Sequence, residues 1–142
     1  MKVKLLLATA QVPVRQKKSD AGYDLHAELH PNFGVYFIRP LARLTVPTGI
    51  AVEIPEGYYG KIEPRGGLAL KGLDILGGVI DAGYRGEVAV LLINLGEQEI
   101  IIRQGDRIAQ LVIIKIATPE IEVVEELSIT DRGSNRYGST GM

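Results

Sequence analysis

The sequence predicts an all-β protein, a barrel or sandwich folded as one domain. Three observations predict it. Seventeen glycines and seven prolines cut the chain into short runs. Those runs are rich in β-branched and aromatic residues, as strands between turns are. Only residues 66–71 have a helical character, and they amount to two turns at most. At 142 residues and 15.4 kDa the chain is long enough to bury a core of its own.

The predicted strands, in order, are residues 3–9, 35–38, 49–54, 58–63, 87–95, 99–103, 107–116 and 121–124. In and just before the first, Lys2 and Lys4 precede Leu5-Leu6-Leu7-Ala8. The run imitates a signal peptide but is shorter than the roughly 7–15 apolar residues such a segment needs, so a strand is the better reading. Leu95-Gly96-Glu97-Gln98 reads as a hairpin connection. Residues 88–93 and 111–116 are almost continuously apolar, whereas a strand of a small antiparallel protein normally buries one face. Two readings stand: a strand in a thick core, or one face in the core and the other in a subunit interface.

Composition excludes several functions. Sixteen basic and seventeen acidic residues, with no long run of either sign, speak against an electrostatic polymeric nucleic-acid binder. No cysteine is present, which removes disulfides, thiolate catalysis and cysteine-ligated zinc, and two histidines make a His-rich site a poor expectation. No stretch approaches the roughly 20 apolar residues of a membrane helix. The expected location is the cytoplasm.

Five segments carry side chains suited to chemistry. Ala21-Gly22-Tyr23-Asp24-Leu25 sets a carboxylate in a turn. Pro64-Arg65-Gly66-Gly67-Leu68-Ala69 puts an arginine ahead of two glycines and a short helix, an anion-binding combination of guanidinium and free backbone N–H groups. Residues 78–86 form a glycine-bounded hairpin with one acid, Asp81, and one aromatic, Tyr84. Gly105-Asp106-Arg107-Ile108-Ala109-Gln110 leads into a strand bearing an amide expected to be buried. Residues 131–141 (DRGSNRYGSTG) hold no aliphatic side chain but two arginines, three hydroxyls and Tyr137. Such an arm suits folding over a phosphate-bearing ligand, and it equally suits a frayed polar end. Taken singly, Asp24 and Asp81 also read as turn formers, Arg65 and Arg107 as surface ion pairs, and Tyr84 as packing. His26 and His30 are expected to be solvated.

In this order and spacing, the five segments resemble the five motifs of the trimeric dUTPase family, which hydrolyses deoxyuridine triphosphate. The resemblance spans residues 21–141, and AGYDL, GVIDAGYRGEV, GDRIAQL and YGSTG would rarely coincide by chance. It implies a dUTPase-like, jelly-roll-like β-barrel over residues 1–130, with residues 131–142 as a flexible C-terminal arm that closes over an active site. It implies a Mg²⁺ cofactor and a homotrimer with shared active sites.

The implied roles follow the motifs. Asp81 matches the aspartate that orients and deprotonates the attacking water. Tyr84 matches the aromatic against the deoxyribose, leaving no room for a 2′-hydroxyl. The backbone of Gly78, Val79, Ile80 and Asp81, with Ala89 opposite, would read uracil. Arg65, Gly66, Gly67 and Gln110 fall at phosphate positions, and Asp24 at a carboxylate near Mg²⁺, through water. From the arm, Arg132 would reach the γ-phosphate, Tyr137 would cover uracil, and Gly138, Ser139 and Thr140 would close on the phosphates.

The sequence departs from the family in two places. Gly66 stands where the family usually has a serine whose hydroxyl contacts phosphate. Asn135-Arg136 replaces a common Gly-Gly, giving a stiffer and more cationic arm. Two alternatives follow. dCTP deaminase, a structural relative, needs a glutamate where this chain has Leu91, and no acid lies within residues 88–95. A catalytically weak nucleotide-binding or signalling module of the same fold draws support from Gly66 alone. Hydrolysis of dUTP to dUMP and pyrophosphate is the expectation.

Overall fold

A computed structural model describes residues 1–30, 32, 34–130 and 133–134. Among these, ten strands and one helical turn follow one another. The strands are β1 (Lys2–Leu5), β2 (Gly22–His26), β3 (Val35–Ile38), β4 (Arg43–Glu53), β5 (Tyr58–Glu63), β6 (Leu73–Leu76), β7 (Val79–Ile80), β8 (Glu87–Asn94), β9 (Ile100–Arg103) and β10 (Arg107–Lys115). The helix α1 (Gly66–Ala69) lies between β5 and β6.

Two four-stranded antiparallel sheets, β1-β4-β8-β6 and β2-β10-β5-β7, are joined by the pair β3-β9. Alternate residues of the central strands meet between them: Val46, Ile50, Val88, Val90 and Leu92 from one sheet, Leu25, Ile62, Ile108 and Leu111 from the other, and Ile38 and Ile102 from the pair. The expected jelly-roll-like all-β fold is present. On β8 the inward row of Val88, Val90, Leu92 and Asn94 is fully buried, and the outward row of Ala89, Leu91 and Ile93 is half-buried. Within one chain, therefore, β8 covers only one of its two apolar faces completely.

Several elements differ from expectation, each for a tertiary reason. Residues 21–25 look like a turn, yet β2 is a strand, because β10 supplies a ladder from Arg107↔His26 to Val112↔Gly22. β4 begins six residues before the predicted start and runs through Pro47. The missing N–H is tolerated because the register with β8 shifts between Pro47 and Ala51, around Gly49 at φ +67°. β1 ends at Leu5, four residues early, where the Leu6 N–H turns to the Gly49 carbonyl at 2.8 Å. Residues 121–124 form no strand; Ile121 and Val123 are both 94 % exposed and have no partner strand among the described residues.

Neither predicted hairpin is one. β8 pairs with β4 and β6, and β9 pairs with β3, so residues 95–98 cross between sheets. Buried Asn94 organises that crossing: its amide donates to the Ile38 and Gln98 carbonyls at 2.8 and 2.7 Å and accepts from the Gly96 N–H at 2.9 Å. Residues 81–86 likewise cross from β7 in one sheet to β8 in the other. No helix among the described residues is long and apolar enough to cross a membrane.

Candidate active site

β10 is flanked by β2 on one side and β5 on the other, and this register assembles a first cleft. Gln110 pairs with Asp24 across one ladder and with Glu63 across the other. Two residues beyond Glu63 the chain reaches Arg65 and the start of α1. Three segments far apart in sequence thus meet at one level of the sheet. They line a cleft of about 300 Å³ with Gln16, Asp20, Gly22, Asp24, Arg65, Gly66, Gly67 and Gln110.

Asp24 is the hub of this cleft. It is 7 % exposed, and a carboxylate that buried must be paired. Oδ1 lies 3.0 Å from Arg65 Nε, and Oδ2 lies 3.3 Å from Arg107 Nη1 and 3.0 Å from Gln16 Nε2. Both arginines are therefore paired, and they form one cationic wall around a single buried anion. Gln110 donates from Nε2 to the Pro64 carbonyl at 3.0 Å. Its side chain lies where a Cβ on Gly22 would stand, which is why AGYDL needs its glycine there.

Gly66 and Gly67 open α1. The first N–H groups of a helix have no intrahelical acceptor, and neither glycine has a side chain to cover its own. A Cβ at either position would meet nothing within 4 Å. Arg65 is the N-cap residue and makes no side-chain cap, so its guanidinium is left for Asp24.

The residues of the third motif line a second cleft. Val79, Ile80, Asp81, Tyr84, Glu87 and Ala89 line a cleft of about 260 Å³ that shares no lining residue with the first. Gly78 holds this segment against β5: its carbonyl accepts the Ile62 N–H at 2.7 Å, and a Cβ would approach the Ile62 oxygen to 2.6 Å. A turn follows, closed by the Tyr84 N–H on the Asp81 carbonyl at 3.0 Å. Arg85 Nη1 braces it by donating to the Ala82 and Tyr84 carbonyls at 2.6 and 2.9 Å. Among the described residues the Asp81 carboxylate, which is exposed, enters no ion pair.

Within one chain the cationic cleft and the Asp81 cleft are thus lined by separate sets of residues. Arg132, Tyr137, Gly138, Ser139 and Thr140 lie outside the described residues. Sequence reasoning left Gln16, Asp20 and Glu87 unnamed and gave Arg107 no role. Only Arg107 had a signal, its place inside GDRIAQ. His26 is also corrected: it is half-buried, with Nδ1 enclosed and without a hydrogen-bond partner among the described residues, and burial lowers its pKa below 6.5 despite the opposing pull of Asp24.

Comparison with known proteins decides the family. The dUTPase family model matches residues 8–141. The chain belongs to the dUTPase family. It is 45 % identical to the deoxyuridine 5′-triphosphate nucleotidohydrolase of Paramecium bursaria Chlorella virus 1, covering 99 % of this chain and 96 % of that protein. Against the cowpox virus enzyme of the same name it is 47 % identical, covering 94 % and 87 %. A mutant dUTPase of Staphylococcus bacteriophage 80alpha, solved with dUpNHpp, superposes with a TM-score of 0.88 at 35 % identity, covering 99 % of this chain and 98 % of the other. A mutant dUTPase of phage phi11 of S. aureus, described for its coordination of a structural Mg(II) ion, has a TM-score of 0.80 at 33 % identity, covering 90 % and 98 %.

Proposed function

We propose that this dUTPase-family enzyme hydrolyses dUTP to dUMP and pyrophosphate in the cytoplasm, as a homotrimer in which each active site joins the cationic cleft of one subunit to the Asp81 cleft of another. One observation carries the reading: the two clefts are complementary in chemistry and separate within a chain. The half-covered outer face of β8 supports such an assembly. Motif three then comes from a different subunit than motifs one, two and four, and the arm reaches in from a third.

Uracil sits in the Asp81 cleft, read by the backbone from Gly78 to Asp81 with Ala89 opposite, and the sugar lies against Tyr84. Asp81 takes a proton from a water whose oxygen attacks the α-phosphorus. The bond to the bridging oxygen breaks, and pyrophosphate leaves. The triphosphate carries about four negative charges, opposed by Arg65, Gln110 and the N–H groups of Gly66 and Gly67. Arg132 and the hydroxyls of Ser139 and Thr140 add donors from the arm, with Gly138 allowing close approach and Tyr137 over the base.

Among the described residues no three His, Cys, Asp or Glu side chains cluster. Mg²⁺ is an ion that keeps its waters and leans on substrate phosphates. Asp24 would hold it through water, since Oδ1 has one protein partner and Oδ2 two, leaving a lone pair on Oδ1. Bound there, Mg²⁺ would offset phosphate charge.

Pyrophosphate release with dUTP, UTP, dTTP and dCTP tests the reading; dUTP should be strongly preferred. Asp81→Asn should lower kcat by about 10²–10⁴, the scale of a positioned base, while largely sparing dUTP binding. A near-normal kcat would remove Asp81 from the mechanism. An active monomer by light scattering would overturn the shared site, and absent turnover would favour a binding module.

A further inference from the structure

Tyr84 is 43 % exposed, so packing alone does not fix its ring. Two features do. The ring lies where a side chain on Gly86 would be, and its hydroxyl donates to the Glu87 carbonyl at 2.9 Å. Glu87 is the first residue of β8, and its position is set by the bulge in β4. The ladder pairs Ala51 with Glu87 and then Pro47 with Ala89, leaving Thr48, Gly49 and Ile50 outside it.

Side chains replace the missing ladder bonds. The Gly49 N–H donates to Glu87 Oε1 at 2.8 Å, and the Thr48 hydroxyl donates to the Val88 carbonyl. The bulge is closely packed. A Cβ on Gly49 would stand 2.7 Å from Ala10 Cβ and 2.9 Å from Glu28 Cγ, so both side chains lie tight against the Gly49 backbone. Glu28, 7 % exposed, is held by the Thr9 hydroxyl at 2.5 Å and Gln104 Nε2 at 2.9 Å. An unbroken line of contacts therefore runs from the core through Gly49 and Glu87 to the Tyr84 hydroxyl.

We propose that Glu87, anchored on the Gly49 bulge, is a positioning residue that holds the Tyr84 ring in place and so sets the discrimination between deoxyribo- and ribonucleotide. This rests on the reading of Tyr84 as the sugar-facing ring. Without the Glu87 carboxylate the Gly49 N–H loses its acceptor and the start of β8 is no longer tied to the bulge. The Glu87 carbonyl then drifts, and the ring leaves the position that excludes a 2′-hydroxyl.

The test is the ratio of kcat/KM for dUTP to that for UTP in four variants. Glu87→Ala and Tyr84→Phe should each lower it by about five- to tenfold, the size of one hydrogen bond. The double variant should lose no more than either alone, because both break the same line. Glu87→Gln, which keeps an acceptor oxygen, should retain most of the ratio. Tyr84→Ala separates the failures: if it leaves the ratio intact, the sugar reading falls and this proposal with it. If Tyr84→Ala erodes the ratio but Glu87→Ala only lowers Tm, the sugar reading stands and the positioning role is overturned. Should Glu87→Ala fail to fold, Tyr84→Phe decides alone, and an unchanged ratio overturns the proposal.

Discussion

Gly22→Ala is the smallest change that should damage the cationic cleft. The new Cβ would lie 2.9 Å from both Cβ and Cδ of Gln110, and closer still to its amide oxygen. Carbon atoms in good contact stand about 3.5–4.0 Å apart, so the overlap is roughly 0.6 Å or more. Rotating Gln110 relieves the overlap with Cδ and Oε1 but not that with Cβ, which the backbone fixes. β2 and β10 must part where Asp24 faces Gln110, and the 3.0 Å bond to the Pro64 carbonyl goes with it. Overpacking costs about 1–3 kcal/mol and the bond about 1 kcal/mol. At about 2.1 cal/mol/K per residue, a chain of 142 residues unfolds with roughly 0.3 kcal/mol/K, so about 2–4 kcal/mol lowers Tm by roughly 7–13 °C. The assay is thermal unfolding at one fixed protein concentration, since subunit association would make Tm concentration-dependent. In a Gln110→Ala background, where Cδ and Oε1 are gone, the penalty should shrink by at least about 1 kcal/mol. A Gly22→Ala protein melting within about 2 °C of its parent, or an undiminished penalty in that background, would refute the packing argument.

Other perturbations read different parts of the molecule. Gly66→Ser adds a hydroxyl where a Cβ meets nothing within 4 Å, so it should fold normally and raise kcat/KM for dUTP about three- to tenfold through one bond to phosphate; an unchanged or lower value in steady-state kinetics would show that the serine has no role here. Truncation after Thr130 should cut kcat at saturating dUTP and Mg²⁺ by about a hundredfold or more, the scale of lost ordering in the transition state, while Tm moves by less than about 2 °C; equal kcat values would make residues 131–142 a plain polar end. Burial holds the His26 pKa below its ordinary 6.5, so between that folded value and 6.5 the unfolded chain binds more protons than the native one. Stability should therefore fall as pH drops through 6.5 and be unaffected by this group above it. Tm against pH should be flatter in that window for His26→Gln, and parallel curves would remove His26 as the cause.

The sequence by itself determined the family and the class of fold. Glycine and proline punctuation between β-branched runs specifies short antiparallel strands through local backbone preference, which needs no tertiary information. The motif residues Asp24, Arg65, Asp81, Tyr84 and Gln110 stood out because their types and order together are rare. Most strand positions were also legible, since periodicity and turn residues act locally. Everything that depended on a neighbour was not. Ala21-Gly22-Tyr23-Asp24 has the composition of a turn, and only the ladder from β10 makes it β2. Pro47 reads as a strand end, and only a bulge opposite β8 lets β4 pass through it. Residues 121–124 have strand composition but no partner, so they form none. The same reason governs the site. Pairing across β10 decided that motifs one, two and four share a cleft, that Arg107 joins Arg65 on Asp24, and that motif three faces a cleft of its own. Register is a property of two strands at once, and a single sequence read along its length contains only one of them at a time.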